Sequence, residues 1–432
     1  MPLREANFWL DTVDMPVPDW ERPLPARADV AVIGAGFTGL SAALALAKRG
    51  ASVVVLEAES VGWGASSRNG GMVLTGLKVG AAELIQRYGR DLAKRLFAAS
   101  LAAIDTVERL VTEEHIACNF ARTGHLELAA KPAHYAGFQK SAEAIAREFG
   151  HPARLLAPAD LAAEIGSDRY FGGLVDDVSA GVNPARYVAG LARAAERAGA
   201  QIFEQARVAQ LHRSGAGYRL VTTRGSLEAA QVLIATSGYT GRVMQPLARP
   251  LTRRLVPIGS YIIATAPLDP ALALSLIPRG RMVFDSKNFL AYYRLTPDNR
   301  MLFGGRARFL PESPATVLQS AAILQQAMVT VFPQLAAAEV DYAWGGTLDF
   351  AFDLMPHAGR QDGVWYSLGY AGHGVALATY LGTLLGAAIA GEQRDNPFAE
   401  LPFPGAPLGL YDGRPWFLPL AGAYYRFLDV IS

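Results

Sequence analysis

The chain has 432 residues, and its 40 Lys and Arg residues balance 39 Asp and Glu residues to a formal net charge of +1. That balance gives no global field to hold a polyanion, so we expect no nucleic-acid partner. Cys118 is the single cysteine, which excludes a disulfide framework and a multi-cysteine metal centre, and we expect no metal site. The first twenty residues lack the apolar core of a signal peptide, and residues 375–391 are too short to span a bilayer. We therefore expect a cytoplasmic protein of roughly two or three domains, without a transmembrane segment.

The first predicted elements form a strand–helix–strand unit. Residues 1–27 are rich in Pro and aromatic residues and predict an arm that packs on the body of the protein. Residues 29–33 (DVAVI) and 51–56 (ASVVVL) are typical of buried parallel strands. Between them, residues 40–49 (LSAALALAKR) predict a helix that ends at Gly50. Such a unit has a right-handed crossover and a parallel sheet.

The rest of the chain predicts further helices and an antiparallel sheet. Residues 80–150 have a mostly helical pattern, and residues 183–235 predict a helix followed by short strands. Residues 255–310 alternate with period two, which favours a half-buried antiparallel sheet. Residues 364–368 (VWYSL) predict one more strand, which leads through a glycine-rich turn into a buried helix over residues 375–391.

The turn between the first strand and helix has the G-x-G-x-x-G pattern of dinucleotide-binding folds. Gly34 permits the tight turn, Gly36 permits the approach of a pyrophosphate, and Gly39 permits close packing of the helix on the strand. The free N–H groups of the helix N-terminus favour phosphate. Glu57, at the end of the second strand, is placed to accept hydrogen bonds from ribose hydroxyls.

A second glycine-rich loop, at residues 62–71 (GWGASSRNGG), directly follows that strand. NAD domains need no such loop here, whereas FAD domains pass it under the pyrophosphate and along the edge of the isoalloxazine. Ser66 or Ser67 would donate to phosphate, and Arg68 would offset phosphate charge. No second complete G-x-G-x-x-G motif is present, so the sequence predicts that one dinucleotide, FAD, is bound.

A third turn, at residues 369–375 (GYAGHGV), precedes the last long helix. The N-terminus of that helix would stabilise the negative charge of a reduced flavin. His373 is either a cofactor contact in this turn or a structural histidine.

Several stretches together resemble the FAD-dependent D-amino-acid oxidase/glycine oxidase superfamily, and within it most the gamma-glutamylputrescine oxidase-like amine oxidases. They are NFWLDT, DVAVIGAGFTGLSAALALAKRGASVVVLEA, GWGASSRNGG, VLIATSGYTG, YYRLTPDNRMLFGG, PHAGR and GYAGHGVALATYLGTLLG. The resemblance implies a two-domain flavoenzyme that oxidises a C–N bond to an imine, which water hydrolyses. The FAD contacts that it carries over are Gly34, Gly36, Phe37, Thr38, Gly39, Glu57, Ala58, Gly64, Ala65, Ser66, Arg68, Asn69, Gly70, Gly71, Val208, Gly238, Gly372, His373, Gly374 and Val375.

The expected fold class is α/β, with a discontinuous Rossmann-like FAD-binding domain and an inserted antiparallel-sheet substrate domain of the α+β type. The expected boundaries are an N-terminal arm at 1–27, the FAD-binding domain at 28–80, 152–244 and 341–400, the substrate domain at 81–151 and 245–340, and a C-terminal extension at 401–432.

The chain departs from the family pattern in three places. Relatives that take amino acids hold the carboxylate with an arginine in the strand that here reads WGGTLD (344–349). Sarcosine-type relatives attach FAD to a cysteine, but Cys118 is far from that place in the sequence, so we expect non-covalent FAD. The same relatives place an oxygen-activating lysine where this chain reads MLFGG (301–305), which leaves the electron acceptor open between O2 and another molecule.

The antiparallel sheet is expected to supply a wall of the substrate pocket. Because residues alternate along a strand, Tyr292 and Tyr293 lie on opposite faces and only one of them can line it. The alternative interpretation of each tyrosine is a buried core residue, and the alternative interpretation of Arg294 and Arg306 is a surface ion pair. The candidates for contact with substrate or for catalysis are Tyr261, Tyr292, Tyr293, Arg294, Arg306 and His373, with Lys287 a minor candidate for oxygen activation.

We expect an amine oxidase that transfers a hydride from the substrate carbon to flavin N5 and reduces O2 to H2O2. One alternative is a D-amino-acid dehydrogenase or oxidase that passes electrons to quinone or another acceptor. The aromatic C-terminal stretch GRPWFLPLAGAYYRFLD would then give weak contact with a membrane surface, unless it packs on the body. An alternative of another class is a non-catalytic binding protein that FAD stabilises.

Overall fold

The structure is a computed structural model that describes residues 3–242, 248–305 and 314–431. Its strands are β1 (Arg27–Ile33), β2 (Val53–Leu56), β3 (Met72–Val73), β4 (His125–Leu128), β5 (Arg154–Leu156), β6 (Gly173–Asp176), β7 (Ala180–Gly181), β8 (Gln201–Phe203), β9 (Val208–Ser214), β10 (Gly217–Thr222), β11 (Gly225–Ile234), β12 (Leu255–Thr265), β13 (Met282–Asp285), β14 (Ala291–Leu295), β15 (Met301–Gly305), β16 (Val340–Ala351), β17 (His357–Gln361) and β18 (Val364–Leu368). Its α-helices are α1 (Phe37–Ala47), α2 (Ala65–Arg68), α3 (Ala81–Tyr88), α4 (Arg90–Glu113), α5 (Pro132–Phe149), α6 (Pro184–Arg197), α7 (Arg249–Thr252), α8 (Pro270–Leu276), α9 (Pro314–Val331), α10 (Gly374–Ile389) and α11 (Leu418–Ile431).

The first sheet is the parallel sheet that the sequence predicts around the glycine-rich turn. Its order is β17-β18-β11-β1-β2-β8, and β1 pairs in parallel with both β11 and β2. The long strand β11 also pairs with β10, which extends this sheet into an antiparallel β9-β10-β11 meander. The side chains of β2 are all buried because helices cover one face and the meander with its own apolar cluster covers the other.

Two helices pack on this sheet with their backbones in close contact. A Cβ atom on Gly382 of α10 would lie 2.3 Å from the carbonyl oxygen of Thr38 in α1, and one on Gly386 would lie 2.7 Å from that of Ala42. Every residue of α1 is buried, so the alanine-rich sequence reflects the lack of space between α10 and the sheet. Helix α10 lies where the sequence predicts a buried helix. Within the described residues, none of the helices combines the length and the apolar character that crossing a bilayer requires.

The second sheet has the order β16-β12-β15-β14-β13-β4-β6-β5. The predicted antiparallel pairs among β12, β13, β14 and β15 are present, and β13 also pairs in parallel with β4. One face of the sheet is covered by α9, with an apolar cluster that includes Tyr261, Tyr293, Phe303 and Phe332. The other face is directed towards the first sheet and the glycine-rich loops. The predicted fold class, an FAD-type α/β fold with an antiparallel-sheet part, is confirmed.

Some strands lie in a different sheet from the one that the predicted domain segments give them. Strand β16 falls in the 341–400 segment assigned to the FAD-binding domain, yet it pairs with β12 along its whole length. Strands β5 and β6 likewise pair with the second sheet, and β4 lies within the stretch 80–150, where the sequence predicts mostly helix. The assignment differs because strand partners come from distant segments, which local periodicity does not identify. The domain boundaries themselves stay a prediction.

The N-terminal arm packs beneath the second glycine-rich loop. Phe8 and Trp9 are buried, and the indole N–H of Trp9 donates to the carbonyl oxygen of Asn69 at 2.9 Å. The side-chain amide of Asn7 donates to the carbonyl oxygen of Ser67 at 2.9 Å. From the second sheet, the indole N–H of Trp344 donates to the carbonyl oxygen of Arg68 at 3.0 Å. Three successive carbonyl groups of this loop are thus held from outside it, which restricts its conformation.

Candidate cofactor and substrate site

A first cavity of about 1190 Å³ lies at the carboxyl ends of β1, β2 and β11, where ligands bind in folds of this kind. Gly34 has a φ of +106°, and a Cβ atom there would lie 2.7 Å from the carbonyl oxygen of Ala235. A Cβ atom on Gly39 would lie 1.9 Å from the carbonyl oxygen of Gly34, so α1 approaches the turn only because both residues are glycine. The predicted roles of these two glycines agree with this geometry, and Gly39 itself does not line the cavity.

Glu57 closes the glycine turn from the neighbouring strand. Its carboxylate accepts hydrogen bonds from the backbone N–H of Ala35 at 2.8 Å and of Glu59 at 2.9 Å. Burial raises the pKa of Glu57, while these backbone donors oppose the rise. The carboxylate lines the first cavity together with Ala58, Arg207 and Val208. This end of the cavity therefore offers the acceptor that a ribose requires, beside the start of β9.

The middle of the cavity is a helix N-terminus with a hydroxyl beside it. The backbone N–H of Phe37, in the first turn of α1, donates to the Ser66 Oγ at 3.0 Å. A Cβ atom on Gly36 would lie 2.8 Å from the same hydroxyl oxygen, so the second glycine keeps this space open. The short helix α2 presents Ser66 to the cavity, whereas Ser67 is buried. Helix N–H groups and a hydroxyl are what a pyrophosphate needs.

The far end of the first cavity is the turn before α10. Gly372, Gly374 and Val375 line it, and the N-terminus of α10 opens there. Asp349 of β16 holds this turn, because its buried carboxylate accepts the backbone N–H of Gly369 at 2.6 Å. Burial raises the pKa of Asp349, and the backbone donors oppose the rise.

A second cavity of about 950 Å³ adjoins the first. Both cavities are lined by Ala65, Asn69, Leu348, Gly372 and Val375. The second cavity alone is lined by Arg68, Gly70, Met72, Leu74, Lys78, Ser260, Phe284, Leu290, Tyr292, Gly346, Ala371 and His373. The charged side chains among these lining residues are both cationic, and the rest of the wall is largely apolar and aromatic.

The residues present fit FAD better than a shorter nucleotide. The first cavity continues from the ribose acceptor Glu57, past the helix N-terminus at Phe37, to the turn at Gly372. It then meets the second cavity along the loop that the sequence predicts for the isoalloxazine edge, where Asn69 and Gly70 lie. Each of the three glycine-rich turns named from the sequence contributes to this continuous wall.

Tyr292 is the tyrosine of the predicted set that lines the substrate side. Its hydroxyl lies 3.1 Å from the Ser260 Oγ, and its ring covers Gly304, where a Cβ atom would lie 2.3 Å from the ring. The prediction that Tyr261 lines the pocket is wrong, because its side chain is buried against α9 and its hydroxyl donates to Thr316. Tyr293 is buried as well and donates to Tyr170. Strand alternation separates Tyr292 from Tyr293, as expected.

Arg294 has neither of the two roles that the sequence left open for it. Its guanidinium donates to the carbonyl oxygen of Gly71 at 2.9 Å and of Val182 at 3.1 Å, so it positions the second glycine-rich loop. Burial lowers the pKa of Arg294 to about 10. Lys287 lies 3.6 Å from Asp285 with half of its side chain exposed, away from both cavities. Arg306 lies outside the described residues.

Six predicted cofactor contacts do not line the first cavity. The second cavity is lined by Arg68, Gly70 and His373, and neither cavity is lined by Gly39, Gly71 or Gly238. Arg68 lines the second cavity and donates to the carbonyl oxygens of Trp63 and Gly345, because the turn of α2 directs it away from Ser66. Gly238 packs against β16, with Thr347 only 2.9 Å from the place of a Cβ atom. Lys78 and Arg207 line cavities and were not singled out from the sequence. For Arg207 a signal was present, since it precedes the expected adenine contact Val208.

A model of the DAO family, described as FAD dependent oxidoreductase, matches residues 29–388 of the chain. The chain is 36% identical to a probable oxidoreductase OrdL of Haemophilus influenzae. The match extends over 409 residues and covers 93% of this chain and 92% of the relative. The chain is 34% identical over 410 residues to the gamma-glutamylputrescine oxidoreductase of Escherichia coli, with the same two coverages.

Solved structures share the fold. The crystal structure of glycine oxidase from Geobacillus kaustophilus superposes with a TM-score of 0.71 at 22% identity, over 86% of this chain and 96% of that one. That of L-proline dehydrogenase from P. horikoshii superposes with a TM-score of 0.69 at 20% identity, over 85% and 94%. At these identities the likeness shows the fold alone.

Proposed function

This chain belongs to the DAO family of FAD-dependent oxidoreductases, and we propose that it oxidises the C–N bond of a primary or secondary amine to an imine, which water hydrolyses. The proposal includes non-covalent FAD and O2 as the acceptor, reduced to H2O2. The observation that carries it is the second cavity, which adjoins the expected flavin edge at Asn69 and Gly372 and is lined by the aromatic side chains of Phe284 and Tyr292. FAD, when bound, accepts a hydride from the carbon that bears the nitrogen.

The residues of the second cavity favour the neutral form of an amine. An amine loses its hydride readily only when its nitrogen carries a lone pair, so the bound ammonium must lose its proton. Burial among Tyr292, Phe284 and Leu290 disfavours the charged form, and the cations Arg68 and Lys78 disfavour it further. Both effects lower the pKa of a bound amine, so no strong base is required.

The turn before α10 supports reduction of the cofactor. The N-terminus of α10 opens at Gly372 and Gly374, and its unpaired N–H groups carry partial positive charge. Such a helix end stabilises negative charge on an adjacent oxygen or nitrogen without an ionisable side chain. His373, the residue that precedes this helix, lines the second cavity, which supports the proposal that it contacts the substrate.

The relative at 34% identity supports an amine rather than a free α-amino acid, whereas the glycine oxidases among the relatives are only 22–23% identical to this chain. The E. coli relative is a gamma-glutamylputrescine oxidoreductase, and a substrate of that kind has a primary amine at the end of a long chain. Residues 344–349 of β16 include no arginine for a carboxylate next to the reacting carbon. Arg68 lies against Gly346 in this wall, and its guanidinium donates to the carbonyl oxygens of Trp63 and Gly345. We therefore propose a long-chain amine with its polar group distant from the reacting carbon.

A dehydrogenase that passes electrons to quinone is the second candidate function. Strand β15 has glycines at 304 and 305 and no lysine, so the oxygen-activating residue of sarcosine-type relatives has no counterpart on this strand. Helix α11 also exposes Leu420, Tyr424 and Phe427, as a surface that contacts a membrane would.

Anaerobic titration of the purified holoprotein tests the proposal. Putrescine, γ-glutamylputrescine, and D- and L-amino acids are added while the visible flavin band is followed. We expect bleaching by the amines, and peroxide release once air is admitted. Bleaching by amino acids alone contradicts the choice of substrate, and turnover only with artificial acceptors favours the dehydrogenase. A flavin that light reduces but no substrate bleaches indicates a binding protein without turnover.

A further inference from the structure

A lysine that lines the second cavity interacts with a carboxylate next to it. From Met72 to Val79 the chain alternates between partly exposed and buried residues, and Val73, Leu77 and Val79 belong to the core. The alternate residues Met72, Leu74 and Lys78 line the cavity. The segment that anchors Val73, Leu77 and Val79 in the core therefore also directs Lys78 into the cavity.

A carboxylate lies beside the lining of the same cavity. In the second sheet, Tyr292 is paired with Phe284, and Phe284 is paired with Glu127 of β4. Directly paired residues project from the same face of a sheet, so Glu127 follows Tyr292 and Phe284, which line the cavity, in one row across the strands. Glu127 is half-buried, and its carboxylate is close enough to Lys78 for the two charges to interact.

The row has the length of an extended amine substrate. A Cβ atom on Gly70 of the flavin-edge loop would lie 3.2 Å from the ring of Tyr292, which marks the reacting end of the row. Adjacent strands are about 4.8 Å apart, so Glu127 lies two strands, or about 10 Å, farther along. An extended chain of seven or eight single bonds also spans about 10 Å.

We propose that Lys78 and Glu127 form a subsite for a zwitterionic α-amino-acid head group at the distal end of the amine substrate. The ammonium group of Lys78 binds the carboxylate of the head group, and the carboxylate of Glu127 binds its ammonium group. The inference rests on the proposed amine oxidation and deepens it, because it names the part of the substrate that the enzyme selects. A lone distal carboxylate or a lone distal amine would satisfy only one of the two charges.

The carboxylate of Glu127 carries its charge at neutral pH in the presence of such a ligand. Burial, with the nearby carboxylate of Asp285 adding to it, raises the pKa of Glu127 to about 7, and the ammonium group of Lys78 opposes the rise. Lys287 pairs with Asp285 and so moderates its effect. An ammonium group that arrives beside Glu127 favours ionisation of the carboxylate.

Four N-acylputrescines test the subsite. The acyl groups are γ-glutamyl, with both charges; glutaryl, with the carboxylate alone; 4-aminobutanoyl, with the ammonium alone; and butanoyl, with neither. For Lys78→Met we expect kcat/KM to fall about 10- to 100-fold for the γ-glutamyl and glutaryl compounds and to stay within about twofold for the others. For Glu127→Gln we expect the same loss for the γ-glutamyl and 4-aminobutanoyl compounds. Lys78→Arg should retain most of the activity.

A binding measurement separates failure of the subsite from failure of the proposed function. γ-Glutamyl-n-butylamine has the head group but no oxidisable amine, and its dissociation constant is read from the shift of the flavin absorbance. We expect Lys78→Met to weaken its binding about 10-fold or more, and Lys140→Met, an exposed lysine on α5, to leave it unchanged. Equal losses for all four substrates, or unchanged binding of the analogue by Lys78→Met, would overturn the subsite. Reduction by none of the four with intact analogue binding would overturn the proposed function alone.

Discussion

Replacing Gly382 by alanine tests whether the contact between α1 and α10 holds the cofactor cavity in shape. The new Cβ atom would lie 2.3 Å from the carbonyl oxygen of Thr38, whereas an ordinary contact begins near 3.4 Å, so the two helices must separate by about 1 Å. The obstacle is backbone, which cannot rotate away. Overpacking of this kind lowers the free energy of unfolding by about 1–3 kcal/mol. The better helix propensity of alanine offsets at most about 1 kcal/mol of that loss.

We therefore expect Gly382→Ala to lower the free energy of unfolding by about 2 kcal/mol, measured by urea denaturation at a fixed FAD concentration. Thr38 also lines the first cavity, so FAD affinity, measured from flavin fluorescence, should fall about tenfold. The matched control is Gly137→Ala on α5, where a Cβ atom meets nothing within 4 Å, and we expect it to stabilise the protein by up to about 1 kcal/mol. If both variants unfold at the same urea concentration as the parent protein, the helix contact is not tight and the reasoning is refuted.

Three further perturbations have definite expected outcomes. Glu57→Gln removes the charged acceptor at the ribose end of the cavity, so FAD affinity should fall about 10- to 100-fold in equilibrium dialysis, and an unchanged affinity would place the ribose elsewhere. Burial lowers the pKa of His125 to about 4, so between pH 6.5 and 4 the unfolded state binds a proton that the folded state does not. The free energy of unfolding should therefore fall by about 3 kcal/mol as the pH falls from 6.5 to 4. In urea denaturation at a series of pH values, the free energy of unfolding of His125→Gln should depend less steeply on pH over this range. Gly304→Ala should displace the ring of Tyr292 into the second cavity and lower kcat/KM for long amines at full FAD content; equal kinetics would show that the ring has room to move.

The cofactor half of the protein could be predicted largely from the sequence. The strand–helix–strand unit, the turn at residues 34–39 and the acceptor Glu57 are set within a short stretch of chain. In such a stretch, chain geometry alone decides what is adjacent: Gly34 and Gly39 must be glycine because backbone lies where a side chain would be. The family was also recognisable from these motifs, and the match over residues 29–388 confirms it.

The substrate half depended on pairings between distant segments. Alternation along the strand separates Tyr292 from Tyr293 but does not determine which tyrosine lines the cavity. Only the covering of one sheet face by α9 buries Tyr261 and Tyr293 and leaves Tyr292 on the cavity. Likewise, Lys78 and Glu127 belong to separate segments, and their charges interact because β4 pairs with β13 and so brings Glu127 beside the cavity that Lys78 lines. Local patterns determine which residues face the same side of an element, whereas strand order and register determine which elements share a surface. The sequence therefore determined the fold class and the turns that line the cofactor cavity, and the tertiary structure decided which side chains a substrate meets.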